Sequence, residues 1–395
     1  MSSSYSPFSY RDLETQEERL DIRRNKSSLE IGIPKEVAFE ERRVCLGPDS
    51  VSALINQGHK IKIESKAGAH AGFSDKDYSE IGAEICYDRK SIFSCKVILK
   101  VEPPTDEEIQ LMKPGIVVLS ALQIKTRSKS YFQALTQKKI TAVALENIKD
   151  EHLNYPVVSS LSEIAGASSI QIAAELLEKS GHLFGNISGV PPTEVVIIGA
   201  GKVGEYAAKT ALGLGASVKV FDDSITRLQQ LENKLNRSIY TSTLQPKLLL
   251  KSLKRCHVAI GALKGSNRCP VVVNQTMVEN MKEDSVIIDI CIDRGGNFET
   301  SELTTHSKPY IKKHGVVHYA VPNIPSKYPK TSSLALSNIL STYLMKIGDH
   351  GGIDYMIRHD RGFQNGIYCY KGILTSKQVA DWFDLNYRDI NLLIL

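Results

Sequence analysis

The chain has 395 residues, of which 42% are hydrophobic and 24% are charged, a composition typical of a globular protein large enough for two domains. Its net charge of +5 is spread along the chain instead of being gathered in basic runs, so the composition gives no indication of nucleic-acid binding. No window approaches about eighteen consecutive apolar residues, and membrane insertion is therefore not expected.

The cysteines and the N-terminus indicate the compartment. Seven cysteines form no C-x-x-C pair, and their odd number suits a reducing environment better than a disulfide framework. A structural metal site is not expected for the same reason. The first residues, Met-Ser-Ser-Ser-Tyr, lack the basic and apolar regions of a signal peptide. We therefore predict a cytoplasmic protein.

The first third of the chain alternates strand-like and helix-like segments. Residues 1–28 are polar and are interpreted as a leader outside the main fold, with a short surface helix over 14–24. From residue 29 onward the alternation is that of an α/β protein. The predicted strands are 31–33, 60–64, 97–101, 116–120 and 141–144, and the predicted helices are 49–57, 105–112 and 129–137.

The rest of the chain continues in the same order. Ser160-Leu-Ser-Glu163 has the S-x-x-E form of a capping box, which predicts a helix over 164–177 as the entry to a nucleotide domain. A long apolar-striped helix over about 332–346 returns the chain to the first domain. We therefore predict an α/β fold with two Rossmann-like domains and doubly wound parallel sheets. Their bounds are 29–158 with 330–395, and 159–329; the second contains strands 240–243, 258–261, 285–290 and 315–319.

A glycine-rich turn joins an apolar strand to a helix-forming run in the segment Val195-Val-Ile-Ile-Gly-Ala-Gly-Lys-Val-Gly204. In a G-x-G-x-x-G turn, Gly199 allows the tight bend, Gly201 lets the backbone approach a pyrophosphate, and Gly204 lets the helix pack on the strand. The helix is predicted over 205–214. The motif predicts a dinucleotide site.

An acidic residue completes this β-α-β unit. The strand 217–221 runs into Asp222, which lies 18 positions after Gly204. A carboxylate at about this spacing binds the adenosine ribose hydroxyls and repels a 2′-phosphate, so NAD is favoured over NADP. Asp223 is an alternative for the same role. The other candidate cofactor-binding residues are Ser162, Lys202, Val203, Arg227 and Asn323.

Several motifs outside the glycine turn resemble those of one family. From about Ile31 to about Gly352 the chain resembles the alanine dehydrogenase and pyridine nucleotide transhydrogenase family. The resemblance implies two α/β domains with the active site in the cleft between them. The motifs are Ile31-Gly-Ile-Pro-Lys-Glu, Glu41-Arg-Arg-Val, Ala67-Gly-Ala-His-Ala-Gly-Phe-Ser-Asp, Ser162-Glu-Ile-Ala-Gly, Asp289-Ile-Cys-Ile-Asp-Arg-Gly-Gly and Ala320-Val-Pro-Asn-Ile-Pro.

The resemblance also implies roles for individual residues. Arg43 would anchor the substrate carboxylate, a task that suits a permanently charged, forked guanidinium. Asp293 matches the family's catalytic aspartate and would manage protons at the amine or at water. Asp289 is more simply a hydrogen-bonded structural carboxylate. Asn323 is expected near the nicotinamide ribose and the substrate.

Two positions depart from the alanine dehydrogenase pattern. The resemblance places a lysine where this chain has Glu102 and a histidine where it has Gln123. Glutamine can hydrogen-bond a pyruvate oxygen but exchanges no proton, and an ionised Glu102 would repel the substrate carboxylate. Lys100 is the candidate that would supply the missing cation, with Lys125 as the alternative.

These residues favour NAD-dependent oxidative deamination of a small L-amino acid, in the first place L-alanine to pyruvate and ammonium. One alternative is an NAD(H)-binding subunit of a proton-translocating transhydrogenase. Another is a dehydrogenase for a different amino acid, such as a lysine-derived amine attracted by Glu102. A non-enzymatic NAD sensor is the least favoured alternative. The resemblance implies a homo-oligomer, a hexamer if the protein is like alanine dehydrogenases and a dimer if it is like transhydrogenase subunits.

Overall fold

The computed structural model describes residues 27–265 and 268–394. The helix predicted over 14–24, nearly all of the leader and Leu395 lie outside these residues. The chain forms two compact units. It passes from the first unit to the second between Val157 and Val158, and it returns to the first between Tyr328 and Pro329. The first unit therefore contains two separate segments of the sequence.

An eight-stranded sheet forms the first unit, in the order β15-β14-β6-β5-β4-β1-β2-β3. β1 to β6 are mutually parallel, and β14 pairs antiparallel with both β6 and β15. The strands are β1 (Glu30–Ile33), β2 (Lys60–Glu64), β3 (Glu84–Cys86), β4 (Val97–Leu99), β5 (Val117–Ser120), β6 (Thr141–Ala144), β14 (Ile367–Tyr370) and β15 (Ile373–Leu374).

Helices connect these strands. Pro48 begins α1, where its missing N–H costs nothing, and Ser74 and Thr105 each form a capping box in front of a helix. The helices are α1 (Pro48–Asn56), α2 (Asp75–Glu80), α3 (Arg89–Phe93), α4 (Asp106–Leu111), α5 (Lys129–Gln137), α6 (Pro156–Leu177, which runs into the second unit), α11 (Pro329–Asp349), α12 (Ile353–His359), α13 (Arg361–Gln364) and α14 (Lys377–Phe383).

The second unit is a seven-stranded sheet in the order β12-β13-β11-β10-β7-β8-β9, parallel except for the edge strand β12. Its central strands are continuous runs of buried Val and Ile, as expected when helices cover both faces. The strands are β7 (Glu194–Ile198), β8 (Ser217–Phe221), β9 (Tyr240–Ser242), β10 (Val258–Gly261), β11 (Val286–Asp289), β12 (Tyr310–Lys313) and β13 (Val316–Tyr319). The helices are α7 (Lys202–Gly213), α8 (Ile225–Leu235), α9 (Pro246–Leu253) and α10 (Gln275–Glu279).

The predicted fold class, α/β with two doubly wound domains, is confirmed, with antiparallel strands added at one edge of each sheet. The predicted capping box at Ser160–Glu163 is wrong. α6 begins at Pro156, so both residues lie inside the helix. Proline is favoured in a first helical turn because its fixed φ suits the helix and its nitrogen needs no acceptor there. Within the described residues, no helix has the length and apolar character needed to cross a membrane.

The long helix α11 holds the segment that contains Arg43. Its side chains Ser333 and Ser337 are buried, and their hydroxyl oxygens accept hydrogen bonds from the backbone N–H groups of Val44 and Gly47, both at 2.9 Å. These N–H groups have no strand partner, so the serines satisfy polar atoms that burial would otherwise leave unpaired. The fold thus fixes the Arg43 backbone from a helix almost 290 positions later in the sequence.

We expect Ser333→Ala to lower the free energy of unfolding by about 1 to 3 kcal/mol, because the buried N–H of Val44 loses its acceptor. Urea unfolding followed by circular dichroism measures this change. The control is Thr342→Ala on the exposed face of the same helix, where a change within about 0.5 kcal/mol is expected. An equal effect of both substitutions would contradict this role of Ser333.

Candidate functional site

The glycine turn after β7 lies at the point where the strand order of the second sheet reverses. β8 and β9 follow on one side of β7, whereas β10, β11 and β13 lie on the other, so a crevice forms at the carboxyl ends of β7 and β10. Gly199 has a φ of +112°, and a Cβ there would lie 2.5 Å from the carbonyl oxygen of Ala262. Only glycine fits this bend.

The other two glycines differ in what surrounds them. A Cβ on Gly204 would lie 1.8 Å from the carbonyl oxygen of Gly199, whereas a Cβ on Gly201 would meet nothing within 4 Å. Gly204 is therefore required for packing, and Gly201 faces open space at the start of α7, a helix of 12 residues. Unpaired N–H groups at a helix start attract anions, so this turn fits the pyrophosphate of a dinucleotide.

Asp222 braces this turn from the end of β8. One carboxylate oxygen accepts a hydrogen bond from the N–H of Ala200 at 2.6 Å, and the other accepts from Ser224 at 2.8 Å. The side chain is fully buried, and burial raises its pKa against the effect of these hydrogen bonds. Arg227 lies 3.9 Å away, and Asp223 is exposed. Either aspartate remains a candidate for the ribose, with Asp222 needed for the turn itself.

Three further candidate cofactor residues lie on α6 and α7, namely Ser162, Lys202 and Val203. A Cβ on Gly166 of α6 would lie 2.2 Å from the carbonyl oxygen of Val203, so the two helices pack closely there. Lys202 forms long ion pairs with Glu163 at 3.7 Å and with Glu205 at 3.8 Å. Ser162, one residue before Glu163, is partly buried.

Two predicted residues follow neighbouring parallel strands. Asp293 comes after β11 and Asn323 after β13, and both are exposed at the carboxyl edge of the second sheet. Asp293 is 56% exposed, and its carboxylate lies 3.8 Å from Arg294. Partial desolvation raises the pKa of Asp293, although Arg294 acts in the opposite direction. Asp289 is fully buried and accepts hydrogen bonds from the N–H groups of residues 291, 297 and 298, which is a structural role.

Arg43 is buried in the first unit and is held by Glu41. Its Nε donates to Glu41 Oε1 at 2.7 Å, and its Nη2 donates to Glu41 Oε2. This bidentate pair uses one edge of the guanidinium and leaves the other edge for a second carboxylate. Glu102 Oε1 lies 3.5 Å from Nη2. A substrate carboxylate at the second edge would therefore lie beside Glu102.

Gln123 holds the other oxygen of Glu102. Its amide Nε2 donates to Glu102 Oε2 at 2.6 Å, and its backbone is left-handed, with a φ of 44°. Glu146 stabilises this backbone by accepting hydrogen bonds from the N–H groups of Leu122 and Gln123. Burial raises the pKa of Glu102, and the nearby Arg43 lowers it. The structure thus brings Arg43, Glu102 and Gln123 into one hydrogen-bonded group.

Lys100 belongs to a separate buried cluster. Its Nζ lies 3.2 Å from a carboxylate oxygen of Glu36 and 3.1 Å from one of Glu108, and its side chain is 1% exposed. Burial raises the pKa of Glu36 to about 7, against the attraction of Lys100. Lys125 is exposed, with its ammonium 6.0 Å from the ring centre of Trp382. That Lys100 or Lys125 supplies a cation to the substrate stays a prediction.

Sequence reasoning missed three carboxylates that shape this site. Glu36 and Glu41 stand in the motifs that carry the resemblance, but the sequence did not indicate which side chains they contact. Glu146 had no local signal, because its hydrogen bonds to residues 122 and 123 depend on the pairing of β5 with β6.

Comparison with known proteins finds relatives along most of the chain. Family models for the N-terminal and C-terminal domains of alanine dehydrogenase/PNT match residues 32–165 and 168–377. The chain is 38% identical over 368 residues to alanine dehydrogenase 2 of Staphylococcus aureus (strain USA300), covering 92% of this chain and 98% of that protein.

Two solved structures extend the comparison. An L-alanine dehydrogenase is similar with a TM-score of 0.84 and 34% identity, covering 90% of this chain and 99% of that one. A transhydrogenase from Sinorhizobium meliloti has a TM-score of 0.76 and 24% identity, over 88% of this chain and 99% of the other. The second likeness shows the fold alone.

The two glycines of the turn allow a matched test of dinucleotide binding. We expect Gly201→Ala to keep the free energy of unfolding within about 0.5 kcal/mol and to raise the dissociation constant for NADH about tenfold or more, because the methyl group occupies the pyrophosphate position. Gly204→Ala should lower the free energy of unfolding by about 2 kcal/mol or more, because its Cβ overlaps a backbone oxygen. NADH fluorescence titration and urea unfolding measure both values. Unchanged NADH affinity in Gly201→Ala would contradict this placement.

Proposed function

Because the chain belongs to the alanine dehydrogenase/PNT family, we propose that it is an NAD-dependent amino-acid dehydrogenase that converts L-alanine, water and NAD⁺ to pyruvate, ammonium and NADH. The observation that carries the proposal is 38% identity to an alanine dehydrogenase along 92% of the chain. The glycine turn and the Arg43 group supply what such a reaction needs, a dinucleotide site and a carboxylate anchor.

The cofactor supplies the redox step, since NAD⁺ when bound accepts a hydride from the substrate Cα. The protein must bind both molecules and move protons. Gly199, Gly201 and the start of α7 would hold the pyrophosphate, and Asp222 with Asp223 would face the adenosine ribose. Lys202, Val203, Arg227, Ser162 and Asn323 complete the proposed cofactor site.

Arg43 is proposed to anchor the substrate carboxylate through the guanidinium edge that Glu41 leaves open. Its pKa is raised by Glu41, against the effect of burial, so it stays charged. The bidentate pair with Glu41 fixes the plane of the guanidinium before substrate arrives. A prepositioned anchor of this kind lowers the entropic cost of orienting the substrate.

Glu102 is proposed to bind the substrate in its protonated form. An ionised Glu102 would stand next to the substrate carboxylate at the same guanidinium, and two like charges there would repel each other. Burial already favours the neutral form, and the substrate carboxylate would favour it further. A neutral Glu102 could donate a hydrogen bond to the substrate, while Gln123 keeps its other oxygen in place.

Asp293 is proposed as the acid and base of the reaction. Its raised pKa and its exposure at the carboxyl edge of β11 suit a carboxylate that takes a proton from the attacking water and returns it later. Gln123 has no proton to exchange at neutral pH, so this work falls to a carboxylate.

We further propose a cytoplasmic homo-oligomer. Support for the compartment comes from the seven cysteines, all of which are free thiols. Support for self-association comes from the segment between α6 and β7, where Leu183, Ile187 and Val190 are 72%, 53% and 54% exposed. Light scattering measures the number of subunits.

The proposed reaction is tested by NADH absorbance on mixing the purified protein with NAD⁺ and L-alanine, and in reverse with NADH, pyruvate and ammonium. We expect turnover in both directions, and we expect Asp293→Asn to lower kcat by about 100-fold or more because no carboxylate remains to accept the proton. The control is Asp381→Asn, an exposed aspartate on α14, which should keep full activity. Tight NADH binding with no alanine turnover, or turnover only with a lysine-derived amine, would contradict the alanine assignment.

The proposed protonation of Glu102 gives a pH dependence with a definite sign. Pyruvate binds the form with neutral Glu102, so its KM should rise as the pH passes upward through the raised pKa of Glu102, by up to about tenfold per pH unit. Glu102→Gln is neutral at every pH and should remove this rise while keeping the contact with Gln123. Steady-state KM values from pH 5 to pH 9 measure the effect. A rise of the same size in the variant would assign it to another group.

A further inference from the structure

Two cysteines lie together at the carboxyl edge of the second sheet. Cys269 follows β10 and Cys291 follows β11, and these strands are parallel neighbours. The two thiols are close enough for each to shift the pKa of the other. The backbone fixes the pair, because the N–H of Cys269 donates to the carbonyl oxygen of Arg294 at 2.9 Å. Cys291 lies two residues before Asp293, so one thiol of the pair is part of the turn that contains Asp293.

The pKa values of the two thiols are shifted in opposite directions. Hydrogen bonds from the Cys291 thiol and from the N–H of Gly265 lower the pKa of Cys269 to about 7, although burial opposes this shift. The same hydrogen bond and burial raise the pKa of Cys291. The neighbouring Cys291 thiol thus favours the thiolate form of Cys269. A thiolate is the form of cysteine that reacts with oxidants.

The other cysteines have the opposite tendency. All seven lie in the described part of the chain, and Cys269 is the one whose pKa is lowered. Burial raises the pKa of the five cysteines outside the pair, as expected for inert thiols in apolar surroundings. These five are Cys45, Cys86, Cys95, Cys256 and Cys369.

We propose that Cys269 and Cys291 form a redox modification site, at which a small peroxide converts the two thiols to a disulfide. The Cys269 thiolate attacks one oxygen of hydrogen peroxide, the O–O bond breaks, and sulfenic acid and hydroxide form. The sulfur of Cys291 then attacks the sulfenic sulfur, an S–S bond forms, and water leaves with the thiol proton. In total, two thiols and one peroxide give one disulfide and two waters.

The disulfide would join the loop after β10 to the turn that contains Asp293. This turn is already tight, because Gly295 and Gly296 have positive φ values of 101° and 73°. A new covalent bond at Cys291 would therefore displace the backbone next to Asp293 unless the thiols already have disulfide geometry. A shift of about 1 Å in a reacting group costs about 100-fold in rate. The effect on activity rests on the proposed function, whereas the oxidation itself does not.

Site-resolved alkylation of the full-length protein tests the oxidation. The protein is treated with hydrogen peroxide at pH 7.5, free thiols are blocked under denaturing conditions, and mass spectrometry reads each cysteine. We expect Cys269 and Cys291 to be lost together, at least about tenfold faster than Cys86, as a linked peptide pair that dithiothreitol releases. Loss of all the cysteines at one rate, or no linked pair, would overturn the proposal.

Two variants assign the steps. Cys291→Ser should accumulate sulfenic acid at Cys269, trapped by dimedone, and Cys269→Ser should leave Cys291 reduced under the same treatment. Cys86→Ser is the control and should form the disulfide like the unmodified chain. Sulfenic acid at Cys291 instead of Cys269 would reverse the assignment. Since the linked pair is read in the unmodified chain, the test holds even where a variant folds poorly.

Alanine turnover tests separately whether the disulfide affects activity. Peroxide should lower alanine turnover about tenfold or more in step with the disulfide, dithiothreitol should restore it, and Cys291→Ser should lose this reversible response. A protein that forms the disulfide but never turns over alanine would refute the proposed function and leave the modification site intact. A protein that turns over alanine and forms no disulfide would refute the modification site and leave the proposed function intact.

Discussion

The pairing of Arg43 with Glu41 is the constraint on which the proposed substrate site depends. A buried guanidinium needs a carboxylate partner, and Glu41 supplies it through two parallel hydrogen bonds. Glu41 takes one edge of the guanidinium and so leaves a single edge for the proposed substrate carboxylate. Glu102 already stands at that edge. In the proposed function, substrate binding and the charge of Glu102 are therefore linked, because two ionised carboxylates cannot share one guanidinium edge without repulsion.

Other residues of the first unit hold the backbone of this group through hydrogen bonds. Ser333 and Ser337 fix the backbone beside Arg43, and Glu146 fixes the left-handed backbone of Gln123. Lys100 is held apart in its own pairs with two carboxylates, which keeps a second buried cation from going unpaired. Glycine has a different purpose in the second unit, because the proposed dinucleotide site needs a backbone turn close to a phosphate. In that unit Asp222 braces the turn through two backbone hydrogen bonds.

The sequence predicted the features that depend on local pattern. Alternating apolar runs predicted most of the parallel strands of both sheets, but not β3, β12, β14 or β15. The spacing of Gly199, Gly201 and Gly204 predicted a turn in which each glycine has different surroundings. The start of α6 was missed because the helix begins at a proline, four residues before the S-x-x-E motif that has the form of a cap. Contacts such as Glu102 with Gln123 were also out of reach, because they depend on the register of parallel strands. The resemblance flagged both positions but gave no account of their pairing.

The most direct test of a shared guanidinium is the number of protons taken up when pyruvate binds. Calorimetric titration of pyruvate into the protein saturated with NADH, without ammonium, in two buffers of different ionisation enthalpy measures that number. Above the pKa of Glu102 we expect uptake to approach one proton per site, with none in Glu102→Gln. Equal proton uptake by the two proteins, or pyruvate binding without uptake at any pH, would contradict a protonated Glu102 beside the substrate carboxylate.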